Sequence, residues 1–313
     1  MSQPLICKSA DAVHPAPDPR KAYLYAAATI LFWSTVASAF KLTLGYITPD
    51  ELVFHASLFA TVVLGLLVLA GGRRGELASW RGKDYALSVL LGLLNPCIYY
   101  LLLFTAYDRL PAQEAMPLNF VWPAVLVLLA VVLLGQRIHA LSFLALGISF
   151  LGVVVIATRG EPLALGFSDP AGVAAALGSA IVWGLYWIYS SRDRRDSVQR
   201  LFFNFLFGTL FIAAWLTITS GWSVPEPRAL AGAFYIALFE MALAFACWLQ
   251  ALKLARNTAQ VGTLIYLTPF FSLLVIHFVV GEEILSSTFI GLLLIVAGII
   301  FQRRIERSSG TKT

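Results

Sequence analysis

Glu240 stands about eleven residues from either end of an apolar stretch, 229–252, that is long enough to cross a bilayer as a helix. An acidic side chain at that depth costs roughly 2.5–3.5 kcal/mol on insertion scales, so it faces protein or water and by default marks a functional site. Three roles suit it: counter-ion for a substrate ammonium, proton carrier, or structural hydrogen bond to a neighbouring helix. Trp248 belongs to the same stretch. Elsewhere, aromatic and polar residues recur at helical spacing. Trp33 lies in the first apolar stretch, Asn95 and Tyr99 share a face at i, i+4, and Asn119 and Trp122 do so at i, i+3. Ser179, Trp183 and Tyr186 form one stripe, and Thr263 and Tyr266 lie together near the end of the chain. Such a set suits an amphipathic guest, because rings pack an apolar side chain while indole and phenol hydrogens meet a carboxylate. Pro96, Pro117, Pro123 and Pro269 interrupt the same stretches. As candidate hinges they would remove backbone hydrogen bonds and free carbonyls able to hold an ammonium.

Other titratable groups are less informative. His55 and His277 read as polar packing contacts, with no carboxylate placed beside them by spacing. Lys41 and Lys253 lie toward the ends of their stretches, where lysines snorkel to the interface. The middles of the stretches therefore hold no fixed cation. Phosphate esters and nucleotide sugars are normally met by Arg or Lys, so a zwitterionic or neutral metabolite is the preferred cargo. No His/Cys cluster has metal-ligand spacing, and nothing calls for a cofactor.

The elements that must carry these residues follow from composition. Of 313 residues, 59% are hydrophobic and only 12% charged, about half the charge of a soluble globular chain. The solvent is a membrane. Disorder, coiled coil and collagen-like repeats are excluded, and three cysteines exclude a disulfide scaffold. The polar residues 1–21, with four prolines and no apolar core, read as a flexible tail and not a signal peptide. Ten apolar stretches follow, at 22–44, 50–70, 84–107, 112–134, 140–158, 170–190, 198–219, 229–252, 258–280 and 285–302. The fifth and tenth hold almost nothing polar and are expected at the lipid-facing periphery. Eighteen of the 22 cations fall on the side of the N-tail and of a basic tail, 303–313. Lys41, Arg109, Arg159 and Arg228 fall on the other. That imbalance predicts a multi-pass protein of the cytoplasmic (inner) membrane with both termini in the cytoplasm. The net charge of +5 thus orients the chain and does not recruit nucleic acid.

Laying the second half on the first at an offset of 146 brings Pro123 onto Pro269, Gly135 onto Gly281 and Gly152 onto Gly298. An offset of 150 brings Trp33 onto Trp183. Five is odd, so the second copy, 170–302, would enter the membrane in the opposite sense to the first, 22–158, with a substrate site between them. These residues resemble the drug/metabolite transporter superfamily in its bacterial EamA type. Trp33-Ser34 and Trp183-Gly184 stand where each EamA repeat opens with Trp and a small residue. Pro269, Gly281-Glu282, Gly291 and Gly298 follow its closing pattern. The first copy departs, with Gly135-Gln136-Arg137 for Gly-Glu and Ala145 for Gly291. The resemblance implies an all-α fold of ten transmembrane helices as two inverted five-helix repeats, working by alternating access. Within it, the aromatic interior is most similar to the exporters of aromatic and other amino acids.

Other classes fit less well. Gly147-Ile148-Ser149 and Tyr107-Asp108 are fragments of intramembrane protease motifs, without the following Gly or a second aspartate, so no enzyme is expected. A channel would use the same polar and aromatic residues. A proton-coupled efflux carrier for another substrate class is the nearer alternative. The expected partners are a small-molecule substrate and the lipid bilayer; the oligomeric state stays open, a monomer being compatible with the sequence.

Overall fold

The computed structural model describes residues 18–71, 80–135, 139–161, 169–219, 221–256 and 258–310. Most of the tail 1–21, the Arg73-Arg74 connector and Gln136-Arg137 lie outside the described residues. Among the described residues, ten helices are long and apolar enough to cross a membrane. They are α1 (Pro19–Thr43), α2 (Pro49–Ala70), α3 (Gly82–Arg109), α4 (Ala112–Leu134), α5 (Ala140–Ala157), α6 (Pro170–Ser190), α7 (Ser197–Ile218), α8 (Pro227–Leu254) and α9 (Val261–Val280). The tenth, α10, runs Ser286–Gly310. Residues 303–310, expected as part of a basic tail, therefore continue the last helix.

Local signals explain the helix ends. Proline occupies the first turn of α1, α2, α6 and α8, where its missing N–H costs nothing. Asp18, Asp169 and Asp196 accept first-turn amides as N-caps. Gly135 and Gly281 end α4 and α9 at φ +62° and +81°, a left-handed turn that a Cβ would strain. Four helices are interrupted. α3 is π-helical over Leu93–Ile98 around Pro96, and α8 over Ala237–Ala242 around Glu240. α4 breaks between Asn119 and Trp122, ahead of Pro123. α9 tightens to a 3-10 turn over Leu264–Leu267, ahead of Pro269. Extra-wide turns inside helices often accompany functional sites.

The packing comes in corresponding pairs. α1 lies against α8 and α9, and α6 lies against α3 and α4; α2 pairs with α7, and α5 with α10. Exchanging the two halves leaves this set unchanged. The α5–α10 seam shows it in atomic detail. A Cβ on Gly152 would strike the Gly291 carbonyl and Ile295, and one on Gly298 would strike Ala145 and Ser149, the same positions 146 residues apart. Ser149 also donates to the Ile295 carbonyl at 3.1 Å. α5 and α10 thus pack chiefly on each other with one exposed flank each, as a peripheral pair should. The end of α10 departs from that expectation by turning Ile299, Gln302 and Arg303 into the interior.

Candidate functional site

Between the halves lies a cavity of about 520 Å³, within the roughly 300–1,000 Å³ of small-molecule pockets. Its walls come from α1, α3, α4, α6, α8 and α9, the helices in which polar and aromatic residues concentrate, with the end of α10 added. The lining runs from Phe40, Tyr107 and Met116 to Leu252, Gly262 and Arg303, at the end of the bundle that carries Pro19. Rings make most of the wall. Trp183 stacks on Tyr99 at 4.6 Å and on Tyr186 at 5.3 Å, and Trp122 stacks on Trp187 at 6.3 Å. Trp33 is held between Phe245 and Trp248, 5.6 and 6.1 Å away. Glu240 faces this cavity from the π-helical turn of α8 and accepts a hydrogen bond from the Tyr100 hydroxyl at 3.1 Å. A wide turn rotates the following residues, so Phe245 and Trp248 can face the space Glu240 faces.

Among the residues expected from the sequence, Trp33, Tyr99, Asn119, Trp122, Trp183, Glu240 and Trp248 line the cavity, as do Pro123 and Pro269. Five others stand behind the wall. Ser179 accepts from the Asn119 amide at 2.8 Å and donates to the Ala176 carbonyl at 2.7 Å, so it aims Asn119 without reaching the cavity. Tyr186 backs Trp183. Asn95 is buried in the π-helical turn of α3, where its φ of −142° takes it off the helical path and off the face shared with Tyr99. That turn packs on α7, where Gly208 gives Pro96 room: a Cβ there would strike the proline ring. Tyr266 lies under the Arg303 guanidinium, 5.0 Å from its ring centre. Thr263 lies outside the lining, where Gly262 and Ile265 stand instead. Pro96 and Pro117 are likewise absent from the lining, so neither presents a carbonyl-holding notch to it. Pro269 does not leave the Ile265 carbonyl one turn back open either, because the Thr268 amide bonds it.

The lining also holds residues the sequence reading passed over. Thr268 and Ser272, one turn apart on α9, carry a readable i, i+4 polar signal. Gln302 and Arg303 were hidden by their place at the boundary of the last apolar stretch. The middle of the cavity has no fixed cation among its described lining, but Arg303 supplies one at its N-terminal end.

The opposite end of the bundle is tied shut. The Glu282 carboxylate accepts the amides of Ala112 at 2.7 Å and Gln113 at 3.0 Å, the first turn of α4. The Gln113 side chain donates to the Glu283 carbonyl at 2.7 Å and accepts from the Leu285 amide at 2.8 Å. Arg159 pairs with the fully buried Glu114 at 2.8 Å. Lys41, expected to snorkel, instead donates to the carbonyls of Tyr107 at 2.7 Å and Leu110 at 2.9 Å, closing the C-terminal end of α3. Arg109 pairs with Asp169 at 3.0 Å. The Gly172 amide and the Arg109 guanidinium hold the Asp169 carboxyl below the usual carboxylate range.

A family model described as the EamA-like transporter family matches residues 20–158 and 170–303. The chain belongs to that family. This EamA-like transporter is 24% identical to an uncharacterized transporter of Clostridium kluyveri, over 90% of this chain and 92% of that one. It is 26% identical to a protein named a probable terminal-alkyne amino-acid exporter in Streptantibioticus cattleyicolor, over 88% of this chain and 91% of that one. A protein known from a crystal structure matches it with a TM-score of 0.65 at 22% identity, over 92% of this transporter and 100% of that chain; the likeness is one of fold. The family is one of transporters, which agrees with the expectation that the chain is not an enzyme.

Proposed function

We propose that this EamA-like transporter carries amino acids, aromatic and other neutral ones, or similar small metabolites, out of the cytoplasm by alternating access. The observation that carries the reading is Glu240 in an aromatic cavity between the halves: a carboxylate for an ammonium, beside stacked rings for an apolar side chain. The helix pairs that survive exchange of the halves support two inverted repeats. The distribution of cations supports a cytoplasmic position for both termini. In that orientation the cavity reaches toward the cytoplasm and the tied end faces outward, a geometry suited to taking cargo from inside. The exporter name of the Streptantibioticus relative points the same way.

The test is uptake into proteoliposomes from a panel of labelled amino acids, with and without a pH gradient, for the wild-type protein and Glu240→Gln. The expected result is saturable, trans-stimulated flux of neutral amino acids that falls at least tenfold in Glu240→Gln. No flux of any amino acid overturns the substrate class, and large unitary conductance overturns the carrier. Flux unchanged in Glu240→Gln at every pH reduces that residue to a structural role.

A further inference from the structure

Most described hydroxyls at membrane depth are spent on their own helix. Thr29, Ser34, Thr61, Thr105 and Thr209 each donate to the carbonyl one turn back, at 2.6–2.9 Å. Thr268 and Ser272 do not. Both are buried, both line the cavity, and neither hydroxyl has a partner. Ser38, Ser57 and Ser142 also lack partners, but none of them lines the cavity.

The backbone explains why these two stay free. The carbonyl one turn before Thr268 belongs to Leu264, the first residue of the 3-10 turn, where bonding has shifted to the tighter pattern. The carbonyl one turn before Ser272 belongs to Thr268 and takes the longer branch, at 3.3 Å, of a Ser34 hydroxyl shared with the Ile30 carbonyl of α1 at 2.6 Å. That bond also sets α1 against α9, which brings the residue before it, Trp33, to the same seam. The Trp33 ring lines the cavity, and its buried indole N–H has no partner. A buried donor left without an acceptor costs about 1–3 kcal/mol, so the three where α1 meets α9 call for a ligand that accepts; the Trp187 indole on α6 is a fourth such donor, on the far side of the lining. Glu240, an acceptor, stands on the α8 wall at nearly the depth of Trp33, since the neighbouring rings of Phe32 and Phe239 are 5.0 Å apart. The lining therefore offers donors where α1 meets α9 and an acceptor on α8.

We propose that Trp33, Thr268 and Ser272 form a carboxylate subsite, so that the cargo is held as a zwitterion with its ammonium toward Glu240. This rests on the amino-acid reading above and narrows it: an amine lacking the carboxylate is a poor ligand. Three neutral donors suit a carboxylate, because hydrogen bonds to a charged acceptor are roughly twice as strong as neutral ones.

The test is equilibrium binding to the full-length protein in nanodiscs, with tryptophan and phenylalanine set against tryptamine and phenethylamine. Wild type is expected to prefer each acid over its amine by tenfold or more. Thr268→Val and Ser272→Ala, isosteric or smaller, are each expected to weaken the acids about tenfold and leave the amines within twofold. Thr268→Ser restores the donor and is expected to restore the acids. Amine binding serves as the check on folding in every variant. Equal loss of acid and amine, no loss of either, or a wild type that favours the amine overturns the subsite while leaving an amino-acid carrier standing. A wild type that binds none of the four overturns the reading beneath it as well.

Discussion

The tie between Glu282 and the start of α4 lends itself to a quantitative perturbation. Its two carboxylate oxygens accept the amides of Ala112 and Gln113 at 2.7 and 3.0 Å. These are amides of a helix's first turn, which have no partner within the helix and carry the positive end of its dipole. Glu282→Gln keeps the shape but turns one oxygen into an NH2, so a donor faces a donor and the charge is lost. Hydrogen bonds to charged groups contribute about 1.5–3 kcal/mol each, and only one of the two is spoiled outright. If the tie breaks whenever the cavity opens at that end, the same energy shifts the equilibrium toward opening roughly 10- to 150-fold. The assay uses Met116, buried in the cavity wall toward that end. With Cys7, Cys97 and Cys247 replaced, Met116→Cys is labelled with a membrane-impermeant maleimide applied from the face opposite the termini. The labelling rate is expected to rise at least tenfold on adding Glu282→Gln, the Gln113 side chain still holding its own bonds to Glu283 and Leu285. Unchanged labelling by a protein with an unaltered melting temperature would refute the reasoning, because the contact would then not oppose opening.

Two further expectations concern stability. Gly298→Leu drives a side chain into the Ala145 carbonyl and Ser149, where no room exists. A loss of at least 1–3 kcal/mol follows, read as a lower melting temperature in detergent, whereas Gly147→Leu, whose Cβ would meet nothing, is neutral. At the end carrying the termini, Asp193 lies between α6 and α7, outside the membrane-spanning segments. Burial alone would raise its carboxyl, but the hydrogen bonds from Arg195 outweigh burial and hold it below its ordinary value. Its contribution is therefore present above the unfolded-state value, near pH 4, and is lost as pH falls through the lower folded value. The melting temperature is expected to drop between pH 5 and 3 in wild type and to drop less in Asp193→Asn; identical slopes would show that the pair contributes nothing.

The ten helices were legible because water-to-bilayer transfer acts on each stretch separately, and hydropathy sums it. Glu240 was legible for the same reason, its cost being independent of its neighbours. What composition could not assign was the seam each polar residue occupies. Asn95 and Ser179 are as polar as Asn119 and lie at comparable depth, yet one is buried against α7 and the other behind Asn119. Only the relative rotation of packed helices distinguishes them. The free hydroxyls of Thr268 and Ser272 are less legible still. Their availability depends on a 3-10 turn and on a bond from Ser34, 234 residues away in the chain. The Lys41 contacts with the end of α3 were hidden likewise, since a lysine near a helix end reads the same whether it meets lipid headgroups or carbonyls.

The glycine seam between α5 and α10 has a mechanical consequence. Backbone meets backbone there, with Gly152 against Gly291 and Gly298 against Ala145. Side chains of Ile156, Ile295 and Ser149 fill the rest of the contact, so sliding one helix along the other would drive backbone into backbone at the glycines. The wide and tight turns all lie elsewhere, in α3, α8 and α9, with the break in α4. The α5–α10 pair would then serve as a stator for helices that bend at their irregular turns. Leu151 and Leu293, exposed on the outer flanks of the stator, offer fixed reference points against which every displacement around the cavity can be measured.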